Sequence, residues 1–358
     1  MHRFSSSFMF SRMFSFMPSR AASCFAGGLL LALSSMNASA AIALDEQIVS
    51  ERDDVKTFIQ EMVDKHQFDA KKLTALFKDV VLKQKIVDAI SRPAEGKPWF
   101  QYRPIFVTNT RIKEGVKFWN ENEAILKAAE EKYGVPPEII VAIIGVETRY
   151  GRHKGGYRVM DSLSTLAFAY PKRSKFFRSE LEHYLLLARE ENLKPMDIKG
   201  SYAGAMGKSQ FISSSYRNYA VDFDGDGKRD LWNNNADAIG SVANYFKRHK
   251  WQTGGAVAAP AIVGSNHIQT LVKKGYKPHS TVTELRQRGV TAKSKVDPDA
   301  LGALIELKLL AGREYWLGLN NFYVITRYNH SPLYAMAVHQ LGQAIMTKRG
   351  NALSANAK

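Results

Sequence analysis

The chain is predicted to be an α+β protein, mostly helical, with a small β-rich insertion near residues 255–320. Three observations predict this class. Apolar residues recur at three- and four-residue spacing, as at Leu73, Leu76, Phe77, Val80 and Val81, which is the period of an amphipathic helix. The run Ile139 to Val146 is apolar at every position and follows Pro136-Pro137; proline is tolerated in a first helical turn, and a helix apolar all round belongs in a core. After Gly254-Gly255 the texture changes to short segments such as Ala303 to Leu309, where Glu306 and Lys308 alternate with apolar residues as on a strand.

The elements follow in order. Residues 1–40 read as a secretory leader: Arg3, Arg12 and Arg20 precede any acid, an apolar stretch runs from Phe25 to Leu33, and Ala38-Ser39-Ala40 supplies a cleavage site. Residues 41–120 form a helical lobe, patterned from Asp45 to Ile90 and then broken at Pro93, Gly96, Pro98 and Pro104 around Trp99, Phe100 and Tyr102. Residues 121–254 form the core of the protein. A helix covers Glu121 to Lys132 and stops at Gly134; the buried helix ends on Glu147; helical patterning resumes from Ser174 to Glu191 and again from Asp237 to about His249. Residues 255–320 form the small β-rich domain. Residues 321–358 return to the core, with a last helix capped by Ser331 and carrying Pro332 at its first position.

With 358 residues, 45% of them hydrophobic and 23% charged, the chain is ordinary for a globular protein and long enough for two to three packed lobes. The formal charge is +16, of which the leader arginines account for three. The remaining +13 favours an anionic partner, and export disfavours nucleic acid. Cys24 is the single cysteine and stands at the front of the leader's apolar run. A lipoprotein signal needs it at the back, so no stable membrane anchor is expected. Removal of the leader leaves no thiol and no disulfide.

Glu147 is the most informative position. Burying an ionised carboxylate costs several kcal/mol, so a glutamate closing an eight-residue apolar run has two readings. Either the helix has ended at the surface and Glu147 pairs with Arg149 or Arg152, or its carboxyl sits in a partly dry cleft, where burial lets it hold a proton near neutral pH and give it to a leaving oxygen. Gly200-Ser201-Tyr202-Ala203-Gly204-Ala205-Met206-Gly207, followed by Gln210 and Phe211, permits close backbone approach to a ligand. It also supplies amide and aromatic groups suited to sugar hydroxyls and rings.

Taken together, Gly145 to Gly151, Tyr170-Pro171-Lys172-Arg173, Gly200 to Gly207 with Gln210-Phe211, Ser214-Ser215-Tyr216, Asp222 to Trp232, Asp237 to Phe246, and Ile325 to Ser331 with Tyr334 resemble the membrane-bound lytic transglycosylase B family, in the family's order and over nearly all the mature chain. The resemblance implies a lysozyme-like catalytic core and cleavage of the muramic acid–glucosamine bond of peptidoglycan. It implies that Glu147 is the single acid/base and that Ser201 hydrogen-bonds its carboxyl. Gln210, Phe211, Tyr245, Tyr328 and Tyr334 fall on positions lining the glycan groove, and Tyr102 joins them as a substrate-binding candidate. Lys172 and Arg173 fall where two basic residues face the peptide stems. The family usually carries arginine at the first of these, has proline where Ser213 stands, and differs at Lys208-Ser209.

One carboxyl suffices where the substrate's own acetamido oxygen stabilises the cationic sugar, an exception to the paired-carboxylate rule. The implied product carries a 1,6-anhydromuramic end. A lysozyme-type hydrolase is the nearer alternative and would need a second acid such as Asp161; a non-catalytic peptidoglycan-binding protein is the other. The compartment implied is the periplasm, and the implied partner is the peptidoglycan glycan strand, with no nucleic acid.

Between these motifs, Asp222, Asp224, Asp226, Gly227 and Asp230 occupy places one, three, five, six and nine of an EF-hand-like calcium loop. Lys228 at place seven offers its carbonyl. Asn233 stands at twelve, where a bidentate glutamate is usual, so Asp237 is the alternative closing ligand unless it serves as an N-cap. A structural Ca2+ is expected here.

Overall fold

The computed structural model describes residues 43–92, 96–264 and 268–356; the leader and Cys24 lie outside the described residues. Helices α1 (Asp53–His66), α2 (Ala70–Lys78) and α3 (Gln84–Ile90) build the first lobe, followed by α4 (Trp99–Phe106), α5 (Asn109–Glu121) and α6 (Glu123–Tyr133). The centre holds α7 (Pro137–Thr148), β1 (Tyr157–Arg158), α8 (Val159–Ala169), α9 (Ser174–Glu190), β2 (Lys199–Gly200), α10 (Ser213–Tyr219) and α11 (Asn235–Arg248). Then come β3 (Ala258–Val263), α12 (Ile268–Val272), β4 (Ser280–Thr281), α13 (Val282–Gln287), β5 (Val290–Ala292), β6 (Leu301–Lys308) and β7 (Arg313–Gly318), and finally α14 (Asn320–Tyr328) and α15 (Pro332–Asn356). No helix among the described residues is long and apolar enough to cross a membrane.

The fold is organised around α7. Every residue from Ile139 to Val146 is buried, and the helix packs against α15, α5, α6 and α11. Each fully buried Ile or Val contributes about 1.5–3 kcal/mol, so this run anchors the core. Close approach of α15 depends on Gly342, where an added Cβ would meet the Glu138 carbonyl oxygen at 2.9 Å.

The sheet is antiparallel throughout, in the order β4-β6-β7-β3-β5. Strand β6 is buried at four consecutive positions, Gly302 to Ile305, because both its faces are covered. Ile305 and Leu307 join the main helical core. Leu304 and Leu317 join a smaller cluster with Ile268 and Leu271 of α12 and Val282 and Leu285 of α13. The alternation of Glu306 and Lys308 therefore describes only the end of this strand.

Two expectations need correction. The proline-rich stretch is not broken throughout: Pro98 is the N-cap of α4, and Pro104 lies inside that helix. Helix α5 was not foreseen; Thr108 caps it by accepting the Arg111 amide at 3.2 Å. The last helix starts as expected, with Ser331 Oγ accepting the Tyr334 amide at 3.3 Å.

Candidate active site

Glu147 occupies the last turn of α7 and is partly exposed, while Val146 and Thr148 on either side are buried. The helix stops because Arg149 (φ 51°), Tyr150 (φ 60°) and Gly151 (φ 87°) all adopt left-handed backbone, which costs of order 1–3 kcal/mol for each non-glycine residue. Several contacts hold the turn. Arg149 forks onto Glu114 at 2.7 and 2.9 Å, the Tyr150 hydroxyl donates to the Arg111 carbonyl at 2.8 Å, and Thr148 Oγ1 accepts the Gly151 amide at 3.0 Å. Arg152 also reaches Glu114, at 3.0 Å. The two arginines weighed as surface partners for Glu147 are thus committed to another carboxylate, and their hydrogen bonds and charges hold the Glu114 carboxyl below its ordinary range.

Glu147 Oε1 instead accepts a short hydrogen bond from the hydroxyl of Tyr334, which arrives on α15. Tyr334 is buried, and its ring lies parallel to Tyr328 at 6.5 Å. Tyr328 in turn meets Phe211 at 5.8 Å and Tyr245 at 4.8 Å, so four of the foreseen aromatics form one contiguous wall. Each phenol is anchored: Tyr328 donates to the Ser209 carbonyl at 2.5 Å and Tyr245 to the Arg327 carbonyl at 2.5 Å. Burial, and then the nearby Glu147 charge, push Tyr328 and Tyr334 well above the ordinary phenol range. Both therefore remain protonated donors at any physiological pH.

The other foreseen residues divide. Tyr102 is fully buried, between Trp99 and Phe106, and lies close enough to Tyr334 for the two phenols to influence each other. Gln210 has φ 49° and spends its amide on Gly207 O at 2.9 Å and Lys154 O at 3.3 Å. Ser201 Oγ accepts the Ala205 amide at 3.0 Å and the Ala203 amide at 3.3 Å, closing its glycine-rich turn. Lys172 is exposed on a short 3-10 turn. Arg173 instead lies over the Phe176 and Phe177 rings at 4.2 and 5.0 Å, near enough to His330 to depress that imidazole after burial has already done so.

Asp161, the acid named for a hydrolase, is fully buried in α8. Its carboxylate accepts the Val81 amide at 3.1 Å and Arg158 Nε at 2.8 Å, and lies 3.5 Å from Lys83 Nζ. It clamps the first lobe onto the core.

In the acidic loop, carboxylate oxygens of Asp222, Asp224 and Asp237 lie within 4.8 Å of one another. That spacing suits a common cation with oxygen ligands at about 2.3–2.6 Å. Asp222 accepts the amides of Gly225, Asp226 and Gly227, and Asp237 accepts those of Phe223 and Asp230, so both oxygens of each are aimed by backbone. Burial first, then the charges of Asp224 and Asp222, raise the Asp237 carboxyl, the repulsion a cation would relieve. Asp237 is not the helix cap: Asn234 is, accepting the amides of Ala236 and Asp237. Asn233 donates to Asp230 Oδ2 at 3.2 Å. Asp226 accepts the Lys228 amide, and Asp230 those of Trp232 and Asn233. Of the six foreseen ligands, the fold thus gathers three carboxylates.

Residues 50–343 match the transglycosylase SLT domain family. The chain belongs to that family. Among the family's members, it is 45% identical over 306 residues to membrane-bound lytic murein transglycosylase B of Escherichia coli (strain K12), covering 82% of each chain. The solved soluble lytic transglycosylase SltB1 of Pseudomonas aeruginosa is 52% identical, with a TM-score of 0.79 over 83% of this chain and 99% of that one. The Escherichia coli lytic transglycosylase Slt35, solved in complex with calcium, is 44% identical, with a TM-score of 0.78 over 84% of this chain and 94% of that one. Lysozyme-like transglycosylases of this family thus share the mostly helical α+β architecture found here.

Residues that local sequence did not single out complete the site. Tyr219 and His249 pack on Tyr245 at 4.9 and 4.0 Å, and Thr148 braces the turn after Glu147. Thr148 lies beside Glu147 in sequence, whereas nothing in the spacing of Tyr219 and His249 pointed to that carboxyl.

Proposed function

We propose that the protein is a peptidoglycan lytic transglycosylase in which Glu147 is the single acid/base. The observation that carries this reading is the Glu147 carboxyl at the end of a buried helix, met by the Tyr334 phenol and flanked by a wall of anchored aromatic rings. Such a wall suits pyranose faces, and a partly dry carboxyl suits proton delivery. The substrate is the glycan strand, cut at the β-1,4 bond between N-acetylmuramic acid and N-acetylglucosamine during wall turnover.

In the first half-reaction Glu147 gives its proton to the glycosidic oxygen. The C1–O bond breaks, and the acetamido oxygen of the muramic residue stabilises the cationic C1. In the second half-reaction the C6 hydroxyl oxygen bonds to C1, and its proton passes to the Glu147 carboxylate. The 1,6-anhydro end forms, the acid is regenerated and no water is consumed. Tyr334 steadies the carboxylate stage by donating to it. Ser201 has two acceptor bonds filled and one proton to give, which we assign to the same carboxyl. Lys172 and Arg173 are assigned to the peptide stems, and Tyr102, Gln210, Phe211, Tyr245 and Tyr328 to the groove.

A Ca2+ held by Asp222, Asp224 and Asp237, with Asp226, Asp230 and the Lys228 carbonyl completing the loop, fits the all-oxygen donor set. The calcium complex of the Escherichia coli relative supports this assignment. When bound, the ion neutralises the crowded carboxylates and stiffens the loop; affinity of about 10⁻⁴–10⁻³ M, as in extracellular modules, is expected. We assign the enzyme to the periplasm on the leader-like start of the sequence and the nature of the substrate. The test is the Glu147→Gln protein, which should bind purified sacculi and release nothing; wild-type release by that variant sinks the assignment.

A further inference from the structure

Lys208 ties the acidic loop to the helix that carries Glu147. Its backbone amide donates to Leu231 O at 2.7 Å, and its carbonyl accepts Thr148 Oγ1, the last side chain of α7, at 2.9 Å. The residue is 9% exposed, and its side chain runs beside Gly151, where an added Cβ would come within 3.1 Å of its Cε. The ammonium then donates to Asn233 O at 3.0 Å and Asn235 Oδ1 at 2.5 Å. Asn235 continues the chain to Asn122 at 2.9 Å, between α5 and α6. A second ammonium, Lys154, donates to Trp232 O at 2.9 Å. The exit of the loop, residues 231–235, is thus fastened to both sides of the left-handed turn that follows Glu147.

A buried ammonium is expensive to desolvate unless its donors are used, and a fixed anchor is what its burial secures. The left-handed residues Arg149 and Tyr150 persist only if surrounding contacts over-determine them. Thr148 is the contact nearest Glu147, and it rests on Lys208. We propose that Lys208 is a positioning residue through which cation binding in the acidic loop sets the placement of Glu147. This rests on the calcium reading above and adds to it an effect of the metal on catalytic rate as well as on stability. Misplacing a catalytic group by about 1 Å can cost roughly a hundredfold in rate, so a modest shift of the turn is sufficient.

The test compares wild type with Lys208→Met, which keeps the stem and removes the donors, and with Asn235→Ala, which cuts the same tether from the loop side. Melting temperature and steady-state kinetics on soluble glycan strands are measured in CaCl2 and in chelator. Wild type should gain both melting temperature and kcat with calcium. Lys208→Met should keep the calcium gain in melting temperature, lose about tenfold in kcat with KM unchanged, and show no calcium response in kcat. Asn235→Ala should behave alike, the double variant should be no worse than either single one, and Lys208→Arg should restore part of the rate. If Lys208→Met does not fold, Asn235→Ala carries the same comparison. Absence of any melting shift in wild type overturns the metal reading and the coupling with it. A wild-type melting shift without a kcat response, a kcat response that survives in the variants, or a defect confined to KM overturns the coupling alone.

Discussion

The hydroxyl of Tyr334 donates to Oε1 of Glu147 across 187 residues of sequence, joining the start of the last helix to the end of the central one. Because burial and the Glu147 charge hold this phenol well above its ordinary range, it donates at every pH the enzyme meets. Removing one donor from a charge-developing site typically costs about 10²–10³ in rate where the donor is fully committed. Tyr334→Phe should therefore lower kcat by about 10- to 100-fold with KM within about twofold. A KM effect without a kcat effect would reduce Tyr334 to a groove residue.

Asp161 separates the transglycosylase from a hydrolase. Its carboxylate is occupied by Val81, Arg158 and Lys83, so Asp161→Asn should cost stability, about 1–3 kcal/mol for disrupted buried hydrogen bonds, seen as a lower urea midpoint. At a temperature where the variant is folded, its product pattern should match wild type. A folded Asp161→Asn protein with no activity would make that carboxyl a participant in the chemistry.

The acidic loop makes a two-sided prediction. Asp224 is exposed, and its charge helps raise Asp237. Asp224→Asn should abolish the calcium-induced rise in melting temperature and leave the chelated protein as stable as wild type or slightly more so. Loss of stability in chelator together with a normal calcium response would contradict the three-carboxylate site.

His339 sets an acid limit on stability. It is 8% exposed beside Trp316, its Nδ1 has no hydrogen-bond partner, and burial pushes the imidazole down to about 4. The folded state keeps it neutral while the unfolded state protonates near pH 6.5. The stability it contributes is thus fully present above pH 6.5 and is lost as pH falls toward 4, by up to about 3 kcal/mol. Urea melts of wild type should weaken over that window, and those of His339→Leu should weaken less. Identical pH dependence in the two would remove His339 from the account.

How much of this was legible in the sequence depended on how local the cause was. Glu147 stood out because an eight-residue apolar run ends on it, and burial of a helix on all sides is a local signal. The acidic loop was legible because calcium ligands recur at fixed spacing, yet only the fold shows Asn234 as the helix cap and Asp237 facing Asp222 and Asp224. The hydroxyl partner of Glu147 was expected to be Ser201. The Tyr334 hydroxyl on the same carboxyl went unforeseen, because the crossing of α15 over the end of α7 is a tertiary fact without local trace. Helix α4 was hidden by its prolines, and β6 misled because its two faces meet two different clusters. The role of Lys208 was invisible for the same reason: its partners lie on the loop 23 to 27 residues away.

The central claim is that one carboxyl and the substrate's own C6 hydroxyl complete the reaction without water. Sacculi digested in H2¹⁸O, with the released muropeptides weighed, test it most directly. The account predicts unlabelled 1,6-anhydromuramic ends from wild type and no release from Glu147→Gln. Reducing muramic ends carrying ¹⁸O would contradict it and make the protein a hydrolase.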